Sequence, residues 1–200
     1  MQQPSRLEQR RTFYHRLFTF INRFMVLQWR LGLGRLVNIW PKGIGRIMIL
    51  VHHGRKSGQT YYAPINYAPI NHEIYCCAGF GERTDWYQNL LVHPQIDIWL
   101  PGQRLRGISH DISDHPDRVK LLRQVLLASG FAATTFGDVN PRRASDQDLG
   151  QMTHTYRLIA IDHLEPAEGP GGPGEWVWMT WLTLIALIGL IAGVLLTLRH

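Results

Sequence analysis

Short apolar runs bounded by glycine, proline or polar residues dominate the middle of this chain and predict β-strands. Six such runs cover residues 47–51, 61–67, 73–78, 96–100, 105–112 and 156–161. Residues 113–117 have the composition of a helix start, and the apolar positions after them recur at helical spacing. Residues 130–148 are polar and predict a loop. The pattern predicts a mainly β domain with flanking helices.

The N-terminal residues follow a different period. Between residues 14 and 25, aromatic and aliphatic side chains recur at helical spacing, and six arginines interleave with them between residues 6 and 30. Residues 1–31 are therefore predicted to form a basic amphipathic helix. Two locations fit this helix equally well, with its apolar face either against the β domain or on anionic lipid.

The C-terminal residues predict a membrane anchor. Residues 176–198 are 23 positions without a charge, and a helix of that length spans about 34 Å against a hydrocarbon core of about 30 Å. Seven of the nine residues 166–174 are proline or glycine, so residues 166–175 are predicted to be a linker. Since no signal peptide precedes the β domain, we expect a single-pass tail-anchored protein of the cytoplasmic membrane with its domain in the cytoplasm.

Positive charge is concentrated near the N-terminus. Residues 1–56 contain eleven lysines or arginines and one acid, whereas residues 57–165 contain nine basic and twelve acidic residues. A basic segment suits nucleic acid or a membrane surface. The apolar C-terminal run favours the membrane as partner, and no nucleic-acid partner is predicted.

One turn has the residue types of an anion-binding site. Two glycines frame two cations and a hydroxyl in Gly54-Arg55-Lys56-Ser57-Gly58, between two strand-like runs, and Pro64 follows. Such a turn can direct backbone N–H groups, a guanidinium and an ammonium at one anion. The alternative is a solvated basic hairpin turn.

The order of motifs around this turn resembles the deazaflavin (F420)-dependent nitroreductase family, also called the F420H2-dependent quinone reductase family. The resemblance covers roughly residues 30–166. It rests on the GRKSG turn, a Gly79-Phe80-Gly81 turn after a strand, a W-x-x-N-L-x-x-x-P segment from Trp86 to Pro94, and a closing strand at 156–161. Tyr61 and Ala78 depart from the residues common in the family.

The resemblance implies a split β-barrel related to the FMN-binding barrels, here over residues 32–165. It implies that the first turn holds the phosphate of the deazaflavin side chain and that the second turn and the tryptophan segment border the ring. The implied cofactor-binding residues are Arg55, Lys56, Ser57, Gly58, Gln59, Ala63, Pro64, Ile65, Cys77, Ala78, Gly79, Phe80, Gly81, Trp86, Tyr87 and Asn89.

The sequence assigns no catalytic residue and no metal site. The ten histidines are adjacent or scattered, and no metal-ligand spacing occurs. Cys76 and Cys77 are neighbours on a strand and point to opposite faces, which indicates packed thiols. Tyr87, Tyr156 and water are the candidate proton donors.

The resemblance implies an oxidoreductase that transfers a hydride from reduced coenzyme F420 to an electron-poor, lipid-soluble or small-molecule acceptor such as a quinone or nitro compound. An FMN-dependent oxidoreductase of the same fold is one alternative. A non-catalytic, membrane-tethered cofactor-binding protein is another. A homodimer is also allowed.

Overall fold

The computed structural model describes residues 19–39, 45–130, 133–134, 140–169 and 171–197. Its helices, labelled here in chain order, are α1 (19–30), α2 (Gly34–Val37), α3 (Asp85–Val92), α4 (Arg118–Ala128), α5 (Asp146–Met152) and α6 (Val177–Thr197). The strands are β1 (Ile47–His53), β2 (Thr60–Ile70), β3 (Glu73–Ala78), β4 (Gln95–Leu100), β5 (Gln103–Asp111) and β6 (Arg157–Pro166).

The six strands close into an antiparallel barrel in the order β1-β2-β3-β6-β5-β4. Neighbouring strands in this order are hydrogen-bonded. Strand β1 closes the barrel by pairing with β4, with Leu50 opposite Ile98. The predicted β-barrel with flanking helices is confirmed. Because β1 and β3 both run antiparallel to β2, the turns after these two strands lie at the same end of the barrel.

Strand β1 is apolar at successive positions because both of its faces are covered. Met48 and Leu50 point into the barrel core, while Ile49 and Val51 pack on the outside with Trp29 and Trp99. A third cluster joins the outer face of β2, β3 and β6 to α4 and α5. The barrel therefore has an apolar interior and two helix-covered outer faces.

Helix α1 packs on the barrel through part of its apolar face. Trp29 is fully buried and donates its indole N–H to the carbonyl of Trp99 at 3.2 Å, and Met25 and Val26 contact the same cluster. This is one of the two locations that the sequence allowed. Residues 1–18 of the predicted N-terminal helix lie outside the described residues.

The membrane anchor is a correction. Among the residues that the structure describes, no helix has both the length and the apolar character needed to cross a bilayer. The predicted transmembrane helix over residues 176–198 and the tail-anchored localisation are therefore wrong, and the predicted membrane partner is not supported. The start of α6 is bound to the domain, since Thr180 donates to the carbonyl of Leu31 at 2.9 Å.

Helix α5 begins inside the stretch 130–148 that the sequence analysis predicted as a loop. Its signal is a capping residue, because the Ser145 side chain accepts from the Asp148 backbone N–H at 3.1 Å. Short helices with one buried apolar residue, here Leu149, leave little periodicity to detect.

Candidate functional site

A pocket of about 980 Å³ opens at the barrel end where β1 leads into the GRKSG turn. Its walls come from α1, the turn, the start of β2, the first residues of α3 and one residue before α6. The lining residues are Thr19, Asn22, Arg23, Val26, Leu27, Arg30, His52, Gly54, Arg55, Lys56, Ser57, Thr60, Tyr61, Tyr62, Ala63, Asp85, Trp86, Asn89 and Trp176.

The GRKSG turn is tight and depends on its glycines. The Gly54 N–H donates to the carbonyl of Gln59 at 2.9 Å, and the Gly58 N–H donates to the carbonyl of Gly54 at 2.8 Å. Gly58 adopts φ +65°, a left-handed conformation that favours glycine. A Cβ at Gly54 would lie 2.6 Å from Ser57 Oγ and from a ring carbon of Tyr61. The two glycines therefore let the cations between them lie close to the barrel rim.

Asn89 fixes this turn from α3. Its side-chain oxygen accepts from the backbone N–H of Arg55 at 3.1 Å and from Arg55 Nη1 at 2.9 Å. The guanidinium also pairs with Asp85 at 3.2 Å. Lys56, in contrast, is exposed, and within the described part of the chain it has no hydrogen-bond or ion-pair partner. Arg55 therefore holds the shape of the turn, and Lys56 is the cation available to a ligand.

His52 is a buried imidazole beside this network. Asn89 Nδ2 lies 3.2 Å from His52 Nδ1, and because the amide oxygen of Asn89 already accepts from Arg55, the amide nitrogen donates. His52 Nδ1 therefore accepts, and the ring proton is on Nε2. Burial, followed by the neighbouring His53 imidazole, lowers the pKa of His52 to about 4. At neutral pH the pocket thus contains an uncharged histidine, stacked on Tyr61 with ring centroids 5.9 Å apart.

Two more cations of α1 line the pocket. The Arg30 guanidinium lies 5.5 Å from the ring centroid of Tyr62 and 5.0 Å from that of Trp176. Its Nε is buried, and no described residue accepts a hydrogen bond from it. Arg23 also lines the pocket. With four cations and one carboxylate, Asp85, which is already paired, the pocket suits an anionic ligand.

The pocket contains only some of the residues that the resemblance implied. Six of the sixteen line it, namely Arg55, Lys56, Ser57, Ala63, Trp86 and Asn89. Those that the structure leaves outside the pocket lining are Gly58, Gln59, Pro64, Ile65, Cys77, Ala78, Gly79, Phe80, Gly81 and Tyr87.

The Gly79-Phe80-Gly81 turn lies at the same barrel end, but its contacts are with the chain before β6. Gly81 adopts φ +60°, and a Cβ there would lie 2.3 Å from the carbonyl oxygen of Thr155. The Phe80 side chain is 77% exposed. Close packing against Thr155 thus accounts for the second glycine of this motif.

The two tyrosines considered as proton donors lie outside the pocket lining. Tyr87 is buried and donates to Asp111 Oδ2 at 2.5 Å. Burial and this hydrogen bond raise the pKa of Tyr87 to about 12, which opposes loss of its proton. Burial also raises the pKa of Tyr156, which packs against the outer cluster on α4 and α5.

Sequence reasoning missed the part of the pocket that distant segments build. It did not assign His52, Tyr62, Arg30 or Trp176 to the site. The interleaved arginines of α1 were a signal of an anion-binding face, but no local pattern links residue 176 to residue 30. Within the described ranges, no group of three histidine, cysteine, aspartate or glutamate residues could hold a metal ion.

Comparison with known proteins agrees with the motif resemblance. The sequence model of the F420H(2)-dependent quinone reductases matches residues 22–133, more than half of the chain. A Mycobacterium tuberculosis (strain ATCC 25618 / H37Rv) protein assigned as an F420H(2)-dependent quinone reductase, Rv3178, is 29% identical over 77 residues. That match covers 37% of this chain and 64% of the relative.

Two solved structures of F420-linked proteins are also similar to parts of this chain. The F420-H2-dependent reductase FDR-A has 15% identity and a TM-score of 0.41, covering 58% of this chain and 94% of its own. A structure described as an F420 reductase has 14% identity and a TM-score of 0.40, covering 66% of this chain and 93% of its own. TM-scores at this level do not support an inference about function.

The family match confirms three predictions from the sequence: the family, the oxidoreductase class that its description states, and coenzyme F420 as the cofactor that its members use. The residues present fit such a cofactor, because the pocket has aromatic walls, a lysine without a partner among the described residues, and a buried arginine Nε that no described residue accepts from. The chain belongs to the F420H(2)-dependent quinone reductase family.

Proposed function

We propose that this protein is a reductase that transfers a hydride from reduced coenzyme F420 to an electron-poor acceptor such as a quinone or a nitro compound. The observation that carries the proposal is the GRKSG turn at a cationic pocket, whose Arg55 is fixed by Asn89 and Asp85 while Lys56 has no partner in the described part of the chain. Family membership supports the cofactor, and the pocket supports the residues that would bind it.

The turn would bind the phosphate of the cofactor. Lys56 would supply the mobile positive charge, and the backbone N–H groups of the turn that are not used internally would supply further donors. Arg55 would act mainly through the turn's shape, because its backbone and guanidinium already donate to Asn89. The Ser57 hydroxyl lies 3.2 Å from that of Tyr61, so it can stabilise the turn and face the ligand.

The aromatic wall would exclude water from the reacting end of the ligand. Reduced deazaflavin, when bound, supplies the hydride, and the protein supplies position and electrostatics. Trp86 lines the pocket beside Asp85, and His52 would offer its Nε2–H as a neutral donor. Tyr87 and Tyr156 lie outside the pocket lining, which favours water as the source of the proton that the acceptor needs.

Turnover tests the proposal. Reduced F420 is mixed with the full chain and either menaquinone or a soluble nitroaromatic. Oxidation of the deazaflavin is measured as the increase in fluorescence of its oxidised form. We expect oxidation that needs both protein and acceptor and that falls in Lys56→Ala at subsaturating cofactor. Reduction driven by FMN instead would support the alternative flavoenzyme. Tight F420 binding without turnover on either acceptor would support a cofactor-binding protein that is not an enzyme.

The homodimer allowed by the sequence remains a prediction. Sedimentation of the purified chain over a range of concentrations would decide it, since a dimer would raise the apparent mass twofold.

A further inference from the structure

Residues 171–180 are not a free tether in this structure but are bonded to both the barrel and α1. Gly171 accepts from Arg104 Nη1 at 2.7 Å, and Arg104 in turn donates to the buried carboxylate of Asp97. We call residues 171–180 the clasp. Its contacts begin at the barrel wall and continue to the end of α1.

The clasp satisfies the carbonyls that α1 leaves open at its C-terminus. The last carbonyls of a helix have no partner inside the helix. Here the carbonyl of Arg30 accepts from the N–H of Trp176 at 2.7 Å, and the carbonyl of Trp29, which also accepts from the N–H of Gly32 at 3.0 Å, accepts from the N–H of Gly174 at 2.8 Å. The Thr180 hydroxyl donates to the next carbonyl, that of Leu31. The end of α1 is thereby capped by a segment about 145 residues further along the chain.

Capping brings one side chain of the clasp into the pocket wall. Trp176 lines the pocket, and its ring lies 5.0 Å from the guanidinium carbon of Arg30. Tyr62 holds the same guanidinium at 5.5 Å. Arg30 therefore has two aromatic contacts, and among the residues that the structure describes it has no carboxylate partner and its buried Nε has no acceptor. A cation fixed in this way remains available to an anion.

We propose that the clasp completes the cofactor pocket, with Trp176 as the residue that positions Arg30 as a second anion-binding group across from the GRKSG turn. This inference rests on the proposed function, because it takes the pocket's ligand to be F420. Arg30 would bind an anionic group of the ligand, either carboxylate or phosphate, separate from the one held by Lys56. Trp176 lies beyond residues 22–133 that the family model matches, so the proposal rests on the contacts of this chain alone.

The test is a titration of the full-length chain with F420, followed by deazaflavin fluorescence. A charge-assisted hydrogen bond predicts that Arg30→Gln weakens binding about tenfold or more. Loss of one cation–π contact predicts that Trp176→Ala weakens it about three- to tenfold. Arg142→Gln, which removes an exposed arginine before α5, and Trp181→Ala, which removes an exposed indole of α6 outside the clasp, should leave the dissociation constant unchanged.

Two readouts separate positioning from general support of the fold. Trp176→Phe keeps a ring face for Arg30 and should bind nearly as well as the wild type, whereas Trp176→Leu fills similar space without a ring and should bind as weakly as the alanine variant. In Arg30→Gln the dissociation constant should also depend less steeply on salt, since one charge contact has gone. Equal losses in the phenylalanine and leucine variants would overturn the role of Trp176.

Lys56→Ala keeps the two hypotheses distinct. If it weakens binding while Arg30→Gln and Trp176→Leu match the wild type, the clasp proposal fails and the phosphate site stands. If Lys56→Ala binds normally while the Arg30 and Trp176 variants are weakened, the clasp proposal stands and the phosphate assignment to the GRKSG turn fails. Melting temperatures of all variants confirm that each comparison is made on folded protein.

Discussion

Replacing Asn89 by aspartate should raise the pKa of the buried His52. The change keeps the oxygen that accepts from Arg55 and replaces the amide nitrogen, 3.2 Å from His52 Nδ1, by a second oxygen. Two acceptors then face each other, so the imidazole must place a proton on Nδ1 to restore the hydrogen bond. The carboxylate also favours the charged ring.

The size of the effect follows from the wild-type environment. The pKa of His52 is lowered from 6.5 to about 4, and a carboxylate within about 4 Å raises the pKa of a neighbouring cation by roughly 1–3 units. We expect the pKa of His52 in Asn89→Asp to lie between about 5 and 7. Glutamine at position 89 keeps the amide and serves as the uncharged control.

The same shift predicts how stability depends on pH. The folded protein binds a proton at His52 less readily than the unfolded chain does. The contribution of the neutral ring to the free energy of unfolding is therefore fully present above about pH 6.5 and is lost as the pH falls toward about 4. The 2.5-unit difference corresponds to roughly 3 kcal/mol. In Asn89→Asp this acid loss should be smaller, since the folded ring accepts the proton at higher pH.

The assay is an NMR titration of the histidine ring protons, with His52→Gln identifying the resonance. Denaturant unfolding at pH 7 and pH 4.5 measures the stability change in parallel. A wild-type pKa near 6.5, or a His52 pKa that does not rise in Asn89→Asp, would refute the hydrogen-bond assignment between these two side chains.

Three further outcomes are expected. Lys56→Ala should weaken F420 binding about ten- to a hundredfold without a change in melting temperature, whereas Lys120→Ala on α4 should change neither the affinity nor the melting temperature. Equal affinities of Lys56→Ala and the wild type would identify the turn as a solvated hairpin. Gly81→Ala should destabilise the fold far more than Gly58→Ala by denaturant unfolding, because both glycines have positive φ but only Gly81 has a carbonyl within 3 Å of the added Cβ; the Gly58 change alone costs roughly 1 kcal/mol. Tyr87→Phe should lower the free energy of unfolding by about 1–3 kcal/mol while turnover of reduced F420 stays near the wild-type rate, and a large loss of turnover would return Tyr87 to the site.

Local patterns predicted the barrel well because each strand is specified by its own residues. The run at 47–51 is apolar at every position, and the structure covers both its faces. The GRKSG turn was visible for the same reason, since positive φ and close approach require glycine at Gly58 and Gly54. The second glycine motif was also visible, but its cause is packing at Thr155 rather than a place in the pocket lining.

What the sequence did not predict depends on contacts between distant residues. Arg30 and Trp176 meet because the clasp caps α1, and no periodicity carries that information. The apolar C-terminal run was wrongly interpreted as a membrane anchor, and composition alone does not show that its first turn is bound to the domain. His52 was hidden for a related reason: its neutrality comes from burial beside Asn89, 37 positions away.

The central claim is that the cationic pocket of this chain binds coenzyme F420 through the GRKSG turn. Calorimetric titration of the full-length wild type and of Lys56→Ala, each with F420 and with FMN, tests it most directly. The account predicts that the wild type binds F420 more tightly than FMN and that Lys56→Ala loses most of its F420 affinity. Tighter binding of FMN, or F420 binding that is unchanged in Lys56→Ala, would contradict it.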